Sequence, residues 1–227
     1  MNHAKYCSQF IPTTGKILDV GSGNGKFLCA MAKSGFDIFG IELNAKYIDK
    51  AYETANEQQI KINIKQARAE KLPFTDSYFD FINCAEVSEH VEDPVQMCRE
   101  IYRVLRSDGR CYISFHNRFS IYDYHYHLYF INWLPRSWTE LLLKWLKKNK
   151  QDSSDIGRQK LATMHYYTYD QVKIILSKIG FQVNDIREDK IKQKFGKLAI
   201  FFLLPYFLIL RPFYFNSFHI LLEKKKC

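Results

Sequence analysis

The stretch Asp19-Val-Gly21-Ser-Gly23-Asn-Gly25 restricts the fold of this chain more than any other. It follows a short apolar run, Lys16–Val20, and precedes Phe27, Leu28, Met31 and Ala32, the spacing of one helix face. A strand that meets a helix through a glycine cluster lets a ligand approach the backbone N–H groups at the helix N-terminus. The alternation continues downstream. Further strands are expected over residues 36–41, 60–66, 79–84, 110–115, 181–186 and 217–223, and helices over 24–33, 44–58, 94–106 and 168–178. That order predicts an α/β fold with a mostly parallel sheet covered by helices on both faces. A 47% apolar share over 227 residues supports one packed core and excludes a disordered chain. No repeat of solenoid or propeller length is present. The six cysteines include no C-x-x-C pair, so they read as reduced thiols in a cytoplasmic setting, and the N-terminus lacks the pattern of a secretory signal.

The loop does not suit a dinucleotide. The spacing G-x-G-x-x-G/A counted from Gly21 places Lys26 at the third small position, and Asp19 would repel a pyrophosphate. The same carboxylate would attract an ammonium group. Glu42, at the end of the second strand, is placed to accept hydrogen bonds from both ribose hydroxyls. A ligand with an ammonium, a ribose and no phosphate is S-adenosylmethionine. The alternative is a glycine turn with no ligand.

The series ILDVGSGNGKF, GIELN, AEKLPF, FDFINCAEVSEHVEDP and GRCYISFHNR resembles the motifs of class I S-adenosylmethionine-dependent methyltransferases. Within them, Glu86-Val-Ser-Glu89-His90-Val and the later Asn117-Arg118 look most like ubiquinone-biosynthesis O-methyltransferases. The resemblance implies a Rossmann-like sheet of seven strands with the last antiparallel. Residues 1–227 would form one unit, with a cofactor-binding core (16–116), an inserted lid (117–164) and a C-terminal part (165–227). It also implies a cofactor set of Asp19, Gly21, Ser22, Gly23, Glu42, Leu43, Ala69, Glu70 and Ala85. In that set Asp19, Gly21 and Gly23 line the methionine end, Glu42 holds the ribose, Ala69 and Glu70 flank the adenine, and Ala85 sits near the methionine. Members often carry Asp-Ala-Glu before Leu-Pro-Phe. Here Arg68 replaces the aspartate, so Glu70 or a backbone carbonyl takes the adenine contact, or the pocket is altered.

Glu86, Glu89 and His90 admit two readings. They could ligate a divalent metal, as the resemblance implies for some members, with His165 as a fourth ligand. Otherwise the carboxylates cap a helix start while His90 packs beneath the site. Among His90, His116 and His165, the residues favoured as catalytic base are His90 and His165, since imidazole titrates near operating pH.

The charge of the chain is unevenly placed. Residues 1–140 carry 16 basic and 17 acidic side chains, and residues 141–227 carry 17 and 7. The lid segment WTELLLKWLKKNK combines Leu141, Leu142, Trp145 and Leu146 with Lys144, Lys147, Lys148 and Lys150, an interfacial composition. The uncharged run LAIFFLLPYFLIL (198–210) is too short to span a bilayer and contains Pro205, which suggests a membrane-dipping hairpin or a hydrophobic lid over 198–218. Lys190, Lys192, Lys194 and Lys197 precede it and Lys224–Lys226 follow it, flanks that suit the surface of an anionic membrane; the alternative, for this segment and for the lid helix, is packing on the sheet or against a second subunit. The expectation is methyl transfer to an oxygen of an apolar, quinone-like, polyprenyl or lipid-linked acceptor. The rivals are an RNA methyltransferase, disfavoured because the lysines accompany long aliphatic runs, and a non-catalytic cofactor-binding subunit.

Overall fold

The structure, a computed structural model, describes residues 3–147 and 160–225. Helix α1 (His3–Ser8) precedes β1 (Lys16–Val20), and α2 (Lys26–Lys33) leads to β2 (Asp37–Glu42). Then come α3 (Ala45–Glu57), β3 (Asn63–Gln66), β4 (Phe79–Cys84), α4 (Pro94–Val104) and β5 (Leu105–His116). A small hairpin of β6 (Tyr122–Asp123) and β7 (Leu128–Tyr129) follows, and then α5 (Arg136–Trp145). The chain continues through α6 (Tyr169–Ile179), β8 (Phe181–Asp185), α7 (Ile186–Phe195), α8 (Ala199–Pro205) and β9 (Ser217–Lys224).

Seven strands form one sheet in the order β3-β2-β1-β4-β5-β9-β8. All its pairings are parallel except those of β9, which runs antiparallel to both β5 and β8. This is the Rossmann-like arrangement expected. Ile17, Leu18, Phe79, Phe81 and Ile82 are fully buried on the central strands. Such near-continuous apolar runs are what a strand covered on both faces requires. Each contributes about 1.5–3 kcal/mol through burial. Local chemistry sets the helix starts. Asn44 accepts from the N–H of Lys46, Asp93 accepts from Val95 and Gln96 behind Pro94, and Thr168 with Gln171 forms a capping box.

Two expectations are corrected. Helix α4 ends at Val104, and β5 begins at Leu105 and runs through Gly109. A Cβ on Gly109 would stand 3.0 Å from the Asp80 carbonyl, so glycine here permits close strand contact. The register shift between Phe79 and Phe81 absorbs the extra residues. Secondly, residues 198–210 do not form a hairpin. They belong to one helical stretch, Ile186–Tyr214, whose last part (Tyr206–Tyr214) widens into π-helical turns. Pro205 and Pro212 each lack the N–H that an α-turn needs. Asn117, at the end of β5, donates from Nδ2 to the carbonyls of Pro212 (3.0 Å) and Phe215 (2.9 Å), which satisfies the end of this stretch.

The order reverses at β1, which lies between β2 and β4. A crevice is expected beyond the carboxyl ends of these strands.

Candidate active site

The glycine loop leaves β1 and is held to β2. The Ser22 N–H donates to the Ile41 carbonyl (2.9 Å) and its hydroxyl does the same (3.0 Å). Glycine at position 40 makes room, since a Cβ there would lie 2.5 Å from Ser22 Oγ. Ser22 therefore positions the loop and does not line the cleft. Gly21 has φ 69°, and a Cβ on it would meet Val87 Cγ2 at 2.5 Å. Gly23 has φ 51° with no atom within 4 Å of its Cβ position, so that side is open for a ligand.

The Gly23 N–H donates to Glu42 Oε2 (3.0 Å), while Oε1 accepts from the N–H groups of Leu43 (2.9 Å) and Asn44 (3.0 Å). The carboxylate is thus oriented by backbone at the end of β2. Gly21, Gly23, Glu42, Leu43, Ala69, Glu70 and Ala85 all line one cleft of about 910 Å³. Asn24, Tyr47, Val87 and Val91 line it as well, residues that the motif reading missed.

Asp19 lies beneath the loop, 2% exposed, and accepts from Asn83 Nδ2 at 2.7 Å. Burial pushes its carboxyl up to about 7, against the Asn83 hydrogen bond and with a further push from Glu42. A cationic group brought to the loop would favour the ionised form. At the end of the cleft expected to take the adenine, Arg68 is bidentate to Glu92 (2.7 and 2.8 Å), and Glu70 Oε1 accepts from the Glu92 N–H (2.8 Å). Glu70 is therefore tied to the start of the α4 loop, and the Arg68 charge is matched.

Beyond β4 the chain turns sharply at Glu86, whose φ of 56° is unusual for a side chain with a Cβ. Ser114 Oγ accepts from the Glu86 N–H and donates to Oε1, both at 2.8 Å. The turn presents Glu86 Oε2 to His116 Nε2 at 2.8 Å, with Glu89 Oε1 3.0 Å from the same nitrogen. Burial disfavours charge on all three groups, yet the pairing wins. Burial alone would lower His116, but Glu89 and Glu86 hold it up at about 10. Burial likewise opposes ionisation of Glu86, and the His116 bond brings it down to about 2. With no cation bound, the two carboxylates favour the imidazolium form of His116, which makes it a poor base, and a cation held by these groups would take its neutral form. Neither Glu89 oxygen has a hydrogen-bond partner in good geometry.

His90 also lines the cleft, with Nε2 3.5 Å from Glu89 Oε1. Its ring lies 5.8 Å from that of His125, which is 4.9 Å from His116. The potential ligand atoms of Glu86, Glu89 and His116 lie within 4.8 Å of one another, as do those of Glu89, His90 and His125. This is an oxygen and nitrogen donor set of the kind a divalent cation accepts. His165 is not part of either set. Its N–H donates to the Glu89 carbonyl, and its ring stacks near Tyr167. This placement does not bring His165 to the cluster as a fourth ligand or base, and His125 stands beside Glu89 and His90 instead.

A second cavity, of about 790 Å³, adjoins the first. His3, Tyr6, Tyr112, Tyr124, Arg187 and His219 line it. Ala85, Glu86 and His125 border both cavities. His125 is set by a buried carboxylate. Asp123 Oδ1 accepts from the N–H groups of His125 (2.9 Å) and Tyr126 (3.0 Å), and Oδ2 from Asn132 Nδ2 and the Tyr166 hydroxyl (both 2.9 Å).

The match to known proteins falls on the part that builds this cleft. Residues 18–113 match the family model described as a methyltransferase domain. Residues 18–113 carry a methyltransferase domain. A ubiquinone biosynthesis O-methyltransferase of Coxiella burnetii is 37% identical over 122 residues, 53% of this chain and 52% of the relative. A ubiquinone/menaquinone biosynthesis C-methyltransferase of Geotalea daltonii is 34% identical over 128 residues, 53% of this chain and 54% of the relative. The chain thus spans about half the length of the curated relatives it matches. A Haemonchus contortus phosphoethanolamine N-methyltransferase in complex with S-adenosyl-L-methionine superimposes with a TM-score of 0.64 at 18% identity, covering 99% of this chain and 53% of that one. That likeness concerns the fold of the domain. The family model stops short of the lid and of the helical stretch Ile186–Tyr214.

Proposed function

We propose that this protein transfers a methyl group from S-adenosylmethionine to a hydroxyl of an apolar, aromatic quinone-related acceptor. The observation that carries the reading is the junction at Ala85, Glu86 and His125, where a nucleoside-sized cleft meets a cavity walled by tyrosines and histidines. When bound, S-adenosylmethionine supplies a methyl group already activated on a sulfonium. Asp19 favours the ammonium end, Glu42 the ribose, and Leu43 offers an apolar edge beside the adenine contacts of Ala69 and Glu70. The protein's remaining task is to align an acceptor oxygen and receive its proton. We assign that role to His125 and His90, because the carboxylates beside His116 favour its protonated form when no cation is bound. The Glu86, Glu89 and histidine set would also suit a divalent cation, whose contribution would be to acidify the acceptor hydroxyl.

The relatives named for O- and C-methylation of quinone precursors support an acceptor of this class, and the histidine pair favours oxygen over carbon. The test supplies labelled S-adenosylmethionine with prenylated catechols and quinols, and locates the label by mass spectrometry. Label on a phenolic oxygen is expected. Label on a ring carbon would move the reading to C-methylation, and no transfer by protein that retains the cofactor would overturn it.

A further inference from the structure

From Leu198 onward the helical stretch Ile186–Tyr214 has an inward stripe and an outward one, and both are apolar. Ala199, Leu203 and Tyr206 recur at helical spacing and are buried against the molecule, where the Tyr206 hydroxyl donates to Asp185 Oδ2 at 2.7 Å. Opposite them, Leu198, Phe201, Leu204, Leu208 and Ile209 are between 59% and 72% exposed. A helix apolar all round is normally enclosed by protein or by lipid. Here the outer half is covered by neither among the described residues.

The exposed face does not end with the helix. Near its C-terminus Phe213 packs against Trp133 (5.5 Å between rings), which meets Phe119 and Phe130 in turn. Phe119, Phe130 and Trp133 are themselves exposed. Helix α5 follows directly and shows the same inversion, with Trp138, Leu141 and Trp145 turned outward at spacings of three and four residues. The matched domain ends before all of these residues.

Charge identifies the partner. From Lys190 to Leu222 the chain has no carboxylate; Lys192 pairs with Glu188 one turn earlier (2.6 Å), while Lys194 and Lys197 are exposed at the entry to the apolar face without a carboxylate nearby in sequence. A second copy of the chain would bring no acidic group on this face to meet those lysines. An anionic headgroup layer would meet them, while the aromatic and aliphatic side chains enter the acyl boundary. We infer that the outer side of Leu198–Ile209, extended by Phe119, Phe130 and Trp133, docks on the surface of an anionic bilayer. The helix lies along the surface and does not cross it, because spanning would strip Tyr206 from Asp185 and Asn117 from the helix end. Lys148 and Lys150, read above in the lid segment, and Lys226, read in the basic flanks, lie outside the described residues.

The docking can be tested without turnover, so its failure is distinct from that of the transfer reading. The full chain is floated with vesicles of phosphatidylcholine alone and of phosphatidylcholine mixed with phosphatidylglycerol, with tryptophan emission followed in parallel. Retention on the mixed vesicles, with a blue shift, is expected. Replacing Lys194 and Lys197 by Gln should weaken it about fivefold per lysine. Phe201→Ser, Leu204→Ser and Leu208→Ser combined should weaken it by about a hundredfold with unchanged melting. No retention or blue shift for the wild type would overturn the inference, as would full retention of the triple variant. Retention that survives alkaline carbonate would mean a spanning helix. A vesicle-free dimer dissociated by the triple variant would mean a second copy is the occupant.

Discussion

At the residue scale, Gly21 and Gly23 share a left-handed backbone but fail differently. Gly21→Ala drives a methyl into Val87, so it should lower the melting temperature as well as cofactor affinity. Gly23→Ala points its methyl into the open cleft, so it should abolish binding with a strain cost of only about 1 kcal/mol. Thermal unfolding beside calorimetric titration distinguishes the two. Asp19 makes a prediction about pH. Its carboxyl in the free protein is held up at about 7, and only the ionised form attracts an ammonium. Affinity for S-adenosylhomocysteine should therefore fall by up to about tenfold per pH unit as pH drops below about 7, and level off above it. Asp19→Asn should bind weakly at every pH without that slope, and a slope retained in the variant would assign it to another group. For the proposed base, His125→Ala should reduce kcat by about 10²–10⁴ with the cofactor Kd unchanged. His165→Ala should leave kcat near the wild-type value.

At the scale of elements, the lid depends on one buried carboxylate. Asp123 accepts four hydrogen bonds that join the hairpin turn, Asn132 and Tyr166. Asp123→Ala leaves those donors unmet and should cost about 2–4 kcal/mol. It should raise KM for the acceptor more than Kd for the cofactor, which steady-state kinetics and titration together would show. The elements around the cleft were legible because their signals are local. Phe79–Cys84 is an apolar run between turn residues, and Asn44, Asp93 and Thr168 announce the helices they cap. Helix α1 is too short to show a period, and α7 carries polar residues on most of its surface, so neither could be read. The start of β5 was hidden because a helical pattern runs into it and Gly109 resembles a helix stop. The resemblance supplied the cofactor residues, but Ser22 faces β2 for a reason that lies in Gly40 on another strand. His125 was not foreseen, since it meets His90 only through the packing of the lid.

For the whole molecule, the matched domain accounts for the cleft, while the lid and the helical stretch Ile186–Tyr214 bring the second cavity and the apolar face. Arg187 and Lys190, in the first turns of that stretch, border the cavity, so one element touches both the space proposed for the acceptor and the face inferred to meet lipid. All of this depends on the cleft being a cofactor site. The most direct measurement is calorimetric titration of S-adenosylmethionine into the wild type, Glu42→Ala and Gly23→Ala, each checked for its fold. Single-site binding by the wild type, lost in both variants without loss of fold, is the result expected. A folded wild-type protein that binds neither S-adenosylmethionine nor S-adenosylhomocysteine would contradict the account.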